Sequence, residues 1–173
     1  MKVLKAIWSK LHIYVLWLIV SAVFWGWIFS LVTTAPAEKK VTLFIDAPGC
    51  RDTALDVELE KSMPAGLRQV RAHLFSYVMF GEDALVNADL YVVPASAADD
   101  YRDSFRPLPE ELARREGALV LDGAARGVPV EGAASTWVDY APGETYYLFL
   151  GANSVHIDDG AALAVAERFL DLP

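Results

Sequence analysis

The chain has one cysteine, Cys50, in 173 residues. No intramolecular disulfide can form, which excludes a disulfide-stapled scaffold and a multi-cysteine zinc site. Histidine is nearly as scarce: His12, His73 and His156 are the only three. No His-x-x-x-His or Glu-x-x-His spacing links them, so His73 or His156 with Asp46, Asp89 or Asp158 makes a poor metal set. There is no Gly-x-Ser-x-Gly, no phosphate loop and no dinucleotide fingerprint. Gly49, Gly123 and Gly127 read as turn glycines, and no cofactor or metal is expected. Internal repeats and low-complexity tracts are also missing.

Positive charge is in deficit. The 140 residues after Thr33 carry all 23 acids against 12 of the 15 Lys and Arg, a formal net charge of −11. That balance excludes nucleic acid as a partner and disfavours close contact with anionic lipid. It suits a soluble extracytoplasmic domain, and solubility alone accounts for it equally well.

Charge of either sign is absent from Leu11 to Val32, a run of 22 residues. At about 1.5 Å of rise per residue, a helix of this length crosses a hydrocarbon core roughly 30 Å thick. Four of the five tryptophans, Trp8, Trp17, Trp25 and Trp27, lie in or beside it, as suits a headgroup belt. Lys2, Lys5 and Lys10 precede the run without an acid, while Glu38, Lys39, Lys40 and Asp46 follow it. The positive excess on the amino side predicts a single-pass protein of the cell membrane, amino terminus inside. Residues 1–10 are then cytoplasmic, 11–33 the transmembrane helix, 34–40 a linker and 41–173 an extracytoplasmic domain. A cleaved signal peptide competes, because Ala35-Pro36-Ala37 has the small residues of a cleavage site. Secretory apolar regions usually run about 7–15 residues, and the greater length here favours an uncleaved anchor. A buried core helix fits poorly, since the run is apolar on all faces.

Beyond the linker, Val41–Ile45 is a β-rich run stopped by Asp46-Ala47-Pro48-Gly49. Asp52-Thr53 can cap a helix over Ala54–Ser62, and Leu67–Phe75 reads as a second strand. Tyr77–Asn87 reads as a short helical stretch broken at Gly81, and Asp89–Val93 as a third strand closed by Pro94. Ser96 can cap Ala97–Phe105. Glu110–Glu116 is a short helix, Ala118–Leu121 strand-like, and Val128–Val130 and Ser135–Tyr140 are short β candidates. Tyr146–Leu150 is a strongly apolar strand. An amphipathic helix over about Asp158–Leu172, capped by Asp158 or Asp159, ends the chain. Strands and helices alternate early, and the three early strands are apolar enough to be buried on both faces. The expected fold is therefore α/β: one N-terminal transmembrane helix, then one three-layer α/β domain on a mainly parallel (mixed) sheet.

Val41–Asp46 with its helix, the run Asn87-Ala88-Asp89-Leu90-Tyr91-Val92-Val93-Pro94-Ala95-Ser96, and Tyr101 with Phe105-Arg106-Pro107-Leu108 form a recognisable series. It resembles bacterial extracellular solute-binding proteins of the type II periplasmic-binding fold. In that family an Ala-Asp-x-Tyr-Val strand leads to a helix and a Pro-Leu turn. Gly127-Val128-Pro129-Val130 and the Tyr146–Leu150 strand look like the family's Gly-x-Pro stretch and the aromatic strand after it, and Ala161–Leu170 is similar to its closing helices. The family has two lobes, whereas 140 residues hold about one. No lipid-anchor cysteine is present. The resemblance implies a membrane-tethered, single-lobe relative.

Open α/β sheets bind ligands beyond the carboxyl ends of their strands. The loops expected there hold Asp46–Arg51, Phe75-Ser76-Tyr77 and Ala95-Ser96, and the donor-rich Gly151–His156 follows the aromatic strand. Asp46, Ser76, Tyr77, Ser96, Asn153 and His156 are the candidate ligand-binding residues, with chemistry suited to a sugar, polyol or peptide. The plainer reading is that Asn153 and Ser154 stabilise a turn while Phe75 and Tyr77 pack. For catalysis, Ser76, Ser96 and Ser154 lack a visible carboxylate–His–Ser grouping. Cys50 sits where a helix amino end and Arg51 would lower a thiol pKa, but no base accompanies it. No catalytic residue is therefore expected. The function read here is binding of a small ligand or a protein partner without catalysis. The alternative is an accessory subunit of a membrane protein complex such as a transporter, with Ser21, Ala22 and Gly26 permitting close helix approach.

Overall fold

The computed structural model describes residues 2–33, 35–75 and 86–173. Ser76, Tyr77 and most of the helical stretch expected over Tyr77–Asn87 lie outside the described residues. The chain divides into two compact units, Met1–Ala35 and Pro36–Pro173. In the first, α1 (Lys2–Thr33) is one continuous helix. Its Lys10–Ser30 stretch has a mean hydropathy of 2.0 and is long and apolar enough to cross a membrane. Trp17, Leu18, Trp25 and Phe29 on it are exposed, a surface that water alone solvates poorly.

The second unit is built on a six-stranded sheet in the order β3-β1-β4-β8-β6-β5. The strands are β1 (Lys40–Ile45), β3 (Gln69–Leu74), β4 (Leu90–Pro94), β5 (Leu119–Leu121), β6 (Ala124–Pro129) and β8 (Tyr146–Leu150). β2 (Gly49–Cys50) and β7 (Val138–Asp139) form a separate antiparallel pair. β1 pairs in parallel with β3 and β4, whereas β8 runs antiparallel to β4 and β6, and β5 antiparallel to β6. The sheet is thus mixed, with β1, β3, β4 and β6 running one way.

Side-chain alternation gives this sheet two apolar faces. Val41, Leu43 and Ile45 of β1, Leu90 and Val92 of β4, and Leu148 and Leu150 of β8 share one cluster. It is covered by Leu55 and Leu59 of α2 (Asp52–Glu60) and by Ala162, Val165, Ala166 and Phe169 of α4 (Ala161–Leu170). Phe44, Tyr91, Val93 and Phe149 point the other way and are covered by Ala98 and Phe105, in and after a 3-10 segment over Ala95–Ser104. Three layers result. On the second face Phe105 stacks on Phe149 with ring centroids 3.9 Å apart, and Tyr91 meets Phe105 edge-on at 5.4 Å.

Several local expectations change. Gly127 does not turn the chain; it lies inside β6 opposite Phe149. A Cβ there would fall 2.8 Å from the Phe149 ring, so glycine leaves the space the ring fills. Strand β3 is an edge strand rather than a doubly buried one, with Arg71 exposed. Its Val70 and Ala72 amides donate to the Glu60 and Asp56 carboxylates of α2 at 3.3 and 2.6 Å. Helix carboxylates thereby occupy amides that an edge would offer to another chain. Ser96 does not cap a helix, because Pro94 precedes the 3-10 segment and the Ser96 hydroxyl bonds elsewhere. Arg51, not Asp52 or Thr53, is the N-cap residue of α2, and Asp52 already lies in its first turn. α3 (Glu110–Ala113) is shorter than expected.

Phe149→Ala is expected to lower the unfolding free energy of the domain by about 3–5 kcal/mol, the usual cost of emptying an aromatic core site. Gly127→Ala should also destabilise, because the ring must move. Denaturant titration followed by circular dichroism checks both. A Gly127→Ala variant as stable as the parent would refute the packing account.

Candidate functional site

The chain runs from β1 to β3 on one side of the sheet and then to β4 on the other, so β1 and β4 flank a topological switch point. Open α/β sheets place ligands beyond the carboxyl ends of the strands at such a point. Asp46 follows β1 there, and Ala95 and Ser96 follow β4. The Asp46 amide donates to the Val92 carbonyl at 2.8 Å, joining the two strand ends. Partial burial desolvates the Asp46 carboxyl and raises its pKa above the usual 3.8. The Ser96 hydroxyl donates to Glu144 Oε2 at 3.2 Å, and the Ala95 amide to the Thr145 carbonyl at 2.8 Å.

The start of β8 and the end of β6 reach this same end of the sheet, since Tyr146 pairs with Pro94 and the Val130 amide donates to the Tyr146 carbonyl. Two shallow hollows share Val130, Glu131 and Gly132 here. One, of about 270 Å³, adds Tyr140, Glu144 and Tyr146; the other, of about 300 Å³, adds Arg115 and the chain end at Leu172 and Pro173. Glu131 adopts φ 48°, a left-handed conformation costly for a side-chain-bearing residue. The Tyr140 and Tyr146 rings lie 4.8 Å apart. The Tyr140 hydroxyl donates to the Ala133 carbonyl at 2.6 Å, and the Tyr146 hydroxyl accepts from the Ala141 amide at 3.2 Å. What these hollows offer a ligand is the Glu131 and Glu144 carboxylates, the Arg115 side chain and the half-buried Tyr140 ring, Tyr146 itself being buried.

The opposite end of the sheet is closed by a buried polar cluster. Asp89 precedes β4, and its carboxylate accepts from the Thr42 amide at 2.7 Å and the Ser154 hydroxyl at 2.5 Å. Ser154 in turn accepts from the His156 amide at 3.0 Å. The His156 ring is fully buried. Its Nδ1 lies 2.7 Å from Asp159 Oδ2, and its Nε2 lies 3.2 Å from the Ala37 carbonyl and 3.1 Å from the Lys40 carbonyl. Burial opposes a charge on this ring, but the bonds to Asp159 and the Lys40 carbonyl and the Asp89 and Asp159 charges outweigh it, raising the pKa above 6.5. The bond from His156, reinforced by the Ala161 amide, lowers that of Asp159.

The candidate ligand residues are therefore divided. Asp46 and Ser96 lie at the switch-point end; Ser76 and Tyr77 fall outside the described residues. Asn153 and His156 lie past β8 at the opposite end, with Asn153 donating to the Val86 carbonyl at 3.3 Å and His156 in the core. His73, opposite Phe44 near the carboxyl end of β1, is at the other end from His156, and the described residues contain no group of three metal-ligating side chains. Ser154 and His156 are neighbours without nucleophile geometry: Ser154 donates to Asp89, and no His156 ring nitrogen faces its hydroxyl. The thiol of Cys50 departs most from expectation. Burial, then the charges of Asp52, Asp56 and Asp139, push it up to about 12, against the lowering expected from Arg51. Sequence reasoning overlooked Glu131, Tyr140, Glu144 and Tyr146. The acid beside the Pro142-Gly143 turn was the one available signal.

Cys50 in the folded chain should react with iodoacetamide at pH 8 at least ~100-fold more slowly than in the unfolded chain, because the thiolate is the nucleophile. Mass spectrometry of timed aliquots reads the rate, and equal rates would overturn the assignment of an inert thiol. Comparison with known proteins finds no matching family model, no matching curated protein and no matching solved structure.

Proposed function

We propose that the protein is a single-pass, membrane-anchored binding protein, amino terminus inside, whose extracytoplasmic α/β domain binds a small ligand or a protein partner without catalysis. The observation that carries this reading is an apolar helix able to cross a membrane, followed by a separate compact α/β unit. Non-catalytic binding is supported by the state of the reactive groups: a thiol held protonated, a serine bonded to a buried carboxylate, and a histidine enclosed by acceptors. The small-ligand half rests on the switch-point end, where Asp46, Ser96 and the tyrosine-lined hollow offer polar groups beside an aromatic face. A sugar, polyol or peptide suits such groups, in keeping with the resemblance to a single solute-binding lobe. A second reading, an accessory subunit of a membrane complex such as a transporter, draws on the exposed aromatic surface of α1 and the open space beside Gly26.

Two measurements separate these readings. The intact mass of the protein recovered from membranes should retain residues 1–33, and a mature chain beginning after Ala37 would replace the anchor with a signal peptide. Saturating a binding site at about 100 times Kd stabilises a fold by roughly 2.7 kcal/mol, so thermal shift against sugars, polyols and peptides should find a stabilising class. Its absence, with a stoichiometric partner in detergent pull-downs, would replace the small-ligand reading with the subunit reading.

A further inference from the structure

Among the described residues, every hydrogen-bonding partner of the His156 ring is an acceptor. Asp159 Oδ2 faces Nδ1, and the Ala37 and Lys40 carbonyls face Nε2. A carbonyl cannot donate, and Asp159 is held in its carboxylate form, so each ring nitrogen needs a proton to make these bonds. A neutral ring has one proton and leaves a lone pair against an acceptor on one side. Ala37 belongs to the short 3-10 turn Ala37–Lys39 that joins α1 to β1. The ring therefore ties this connector to the loop between β8 and α4, 116 and 119 residues away along the chain.

We propose that His156 is a proton-operated clasp: as the imidazolium it pins residues 36–38 to the 151–159 loop, and loss of the Nε2 proton, with Nδ1–H held by the Asp159 carboxylate, frees them. The charged groups acting on the ring are Asp159, from its own loop, and Asp89, ahead of β4; Ala37 and Lys40 face it with backbone carbonyls. All of these favour the charged ring. Because the folded pKa is raised, the clasp is complete below 6.5 and is lost as pH rises through the folded value. Lys39 stays fixed by its carbonyl, which accepts from the Arg68 amide at 2.8 Å. Opening frees about three residues, roughly 10 Å of extended chain at up to ~3.6 Å each. With α1 as an anchor, alkalinisation lengthens the tether that carries the domain. The clasp itself goes beyond the proposed function; only the lengthened tether rests on its anchor reading.

The test uses the full chain in phospholipid nanodiscs. Side-chain NMR of ¹⁵N-histidine, assigned with His156→Gln, should show two ring protons on His156 at pH 6 and a midpoint above 6.5. Cleavage after Glu38, in the freed segment, by a glutamyl endopeptidase, normalised to a free peptide, should accelerate by up to roughly tenfold per pH unit from 6.5 to that midpoint and then level off. His156→Gln should be cleaved fast at every pH. Asp159→Asn keeps the ring and should move both midpoints down together, so the proposal stays testable if His156→Gln fails to fold. A singly protonated His156 at pH 6, or normalised cleavage independent of pH, would overturn it.

Discussion

The carboxylate of Asp89 fixes the centre of this fold. It is buried, so its charge must be met by donors, and each donor comes from a different neighbour of β4. Thr42 of β1 gives its amide, and Ser154, past β8, its hydroxyl. The Asp89 backbone repeats both links, donating to the Thr42 carbonyl at 3.0 Å and accepting from the Gly151 amide at 2.8 Å. Gly151 approaches so closely that any Cβ would collide with the Ala88 carbonyl. A one-residue slip of either flanking strand would strand this carboxylate and turn each apolar face toward the wrong layer. Register at the heart of the sheet is thereby set by a single charged group, and the His156 cluster is its continuation.

This arrangement separates holding from binding. At the Asp89 end the polar groups are consumed by one another: Ser154 both donates and accepts, Asp159 serves His156 and the Ala161 amide, and the ring is enclosed. Such groups rigidify the loop but offer a ligand nothing. At the other end, strands running the same way finish side by side, and their loops leave Asp46, Glu131 and Glu144 only partly covered. A sheet with parallel pairs favours this asymmetry, because its parallel strands all finish at one end, where the chain leaves each of them for its crossover.

The central strands were legible because burial on both faces demands continuous apolar residues. Tyr146–Leu150 is β8 to the residue, Val41–Ile45 lies within β1, and Asp89–Val93 overlaps β4 in all but Asp89, which precedes the strand. The closing helix was readable from its apolar stripe, but it spans only Ala161–Leu170 and its N-cap residue is Gly160, not Asp158 or Asp159; Asp159 accepts from the Ala161 amide from one residue further out. Local rules failed where distant neighbours decide. Gly127 looks like a turn residue until Phe149 is placed across from it. Cys50 looks activated by Arg51 until packing buries it and Asp56 and Asp139 arrive from α2 and β7. Ala95–Ser104 has a cap-like serine but too few apolar residues for an amphipathic helix, and it winds as a 3-10 segment over Phe105. The candidate site was legible as strand-end loops but not as a set, since β8 runs antiparallel and carries Asn153 and His156 to the far end.

By itself the sequence determined the uncharged helix that can cross a membrane, the acidic α/β domain behind it and the strands at its centre. These follow from composition and short-range periodicity, which act on each segment without reference to the others. Only the tertiary structure decided which polar groups meet. Asp89 with Ser154, His156 with the Ala37 and Lys40 carbonyls, and Glu144 with Ser96 are partners from distant segments, two of them backbone atoms that any residue would supply. Their chemistry comes from distance, burial and direction, which exist only once the chain has closed on itself.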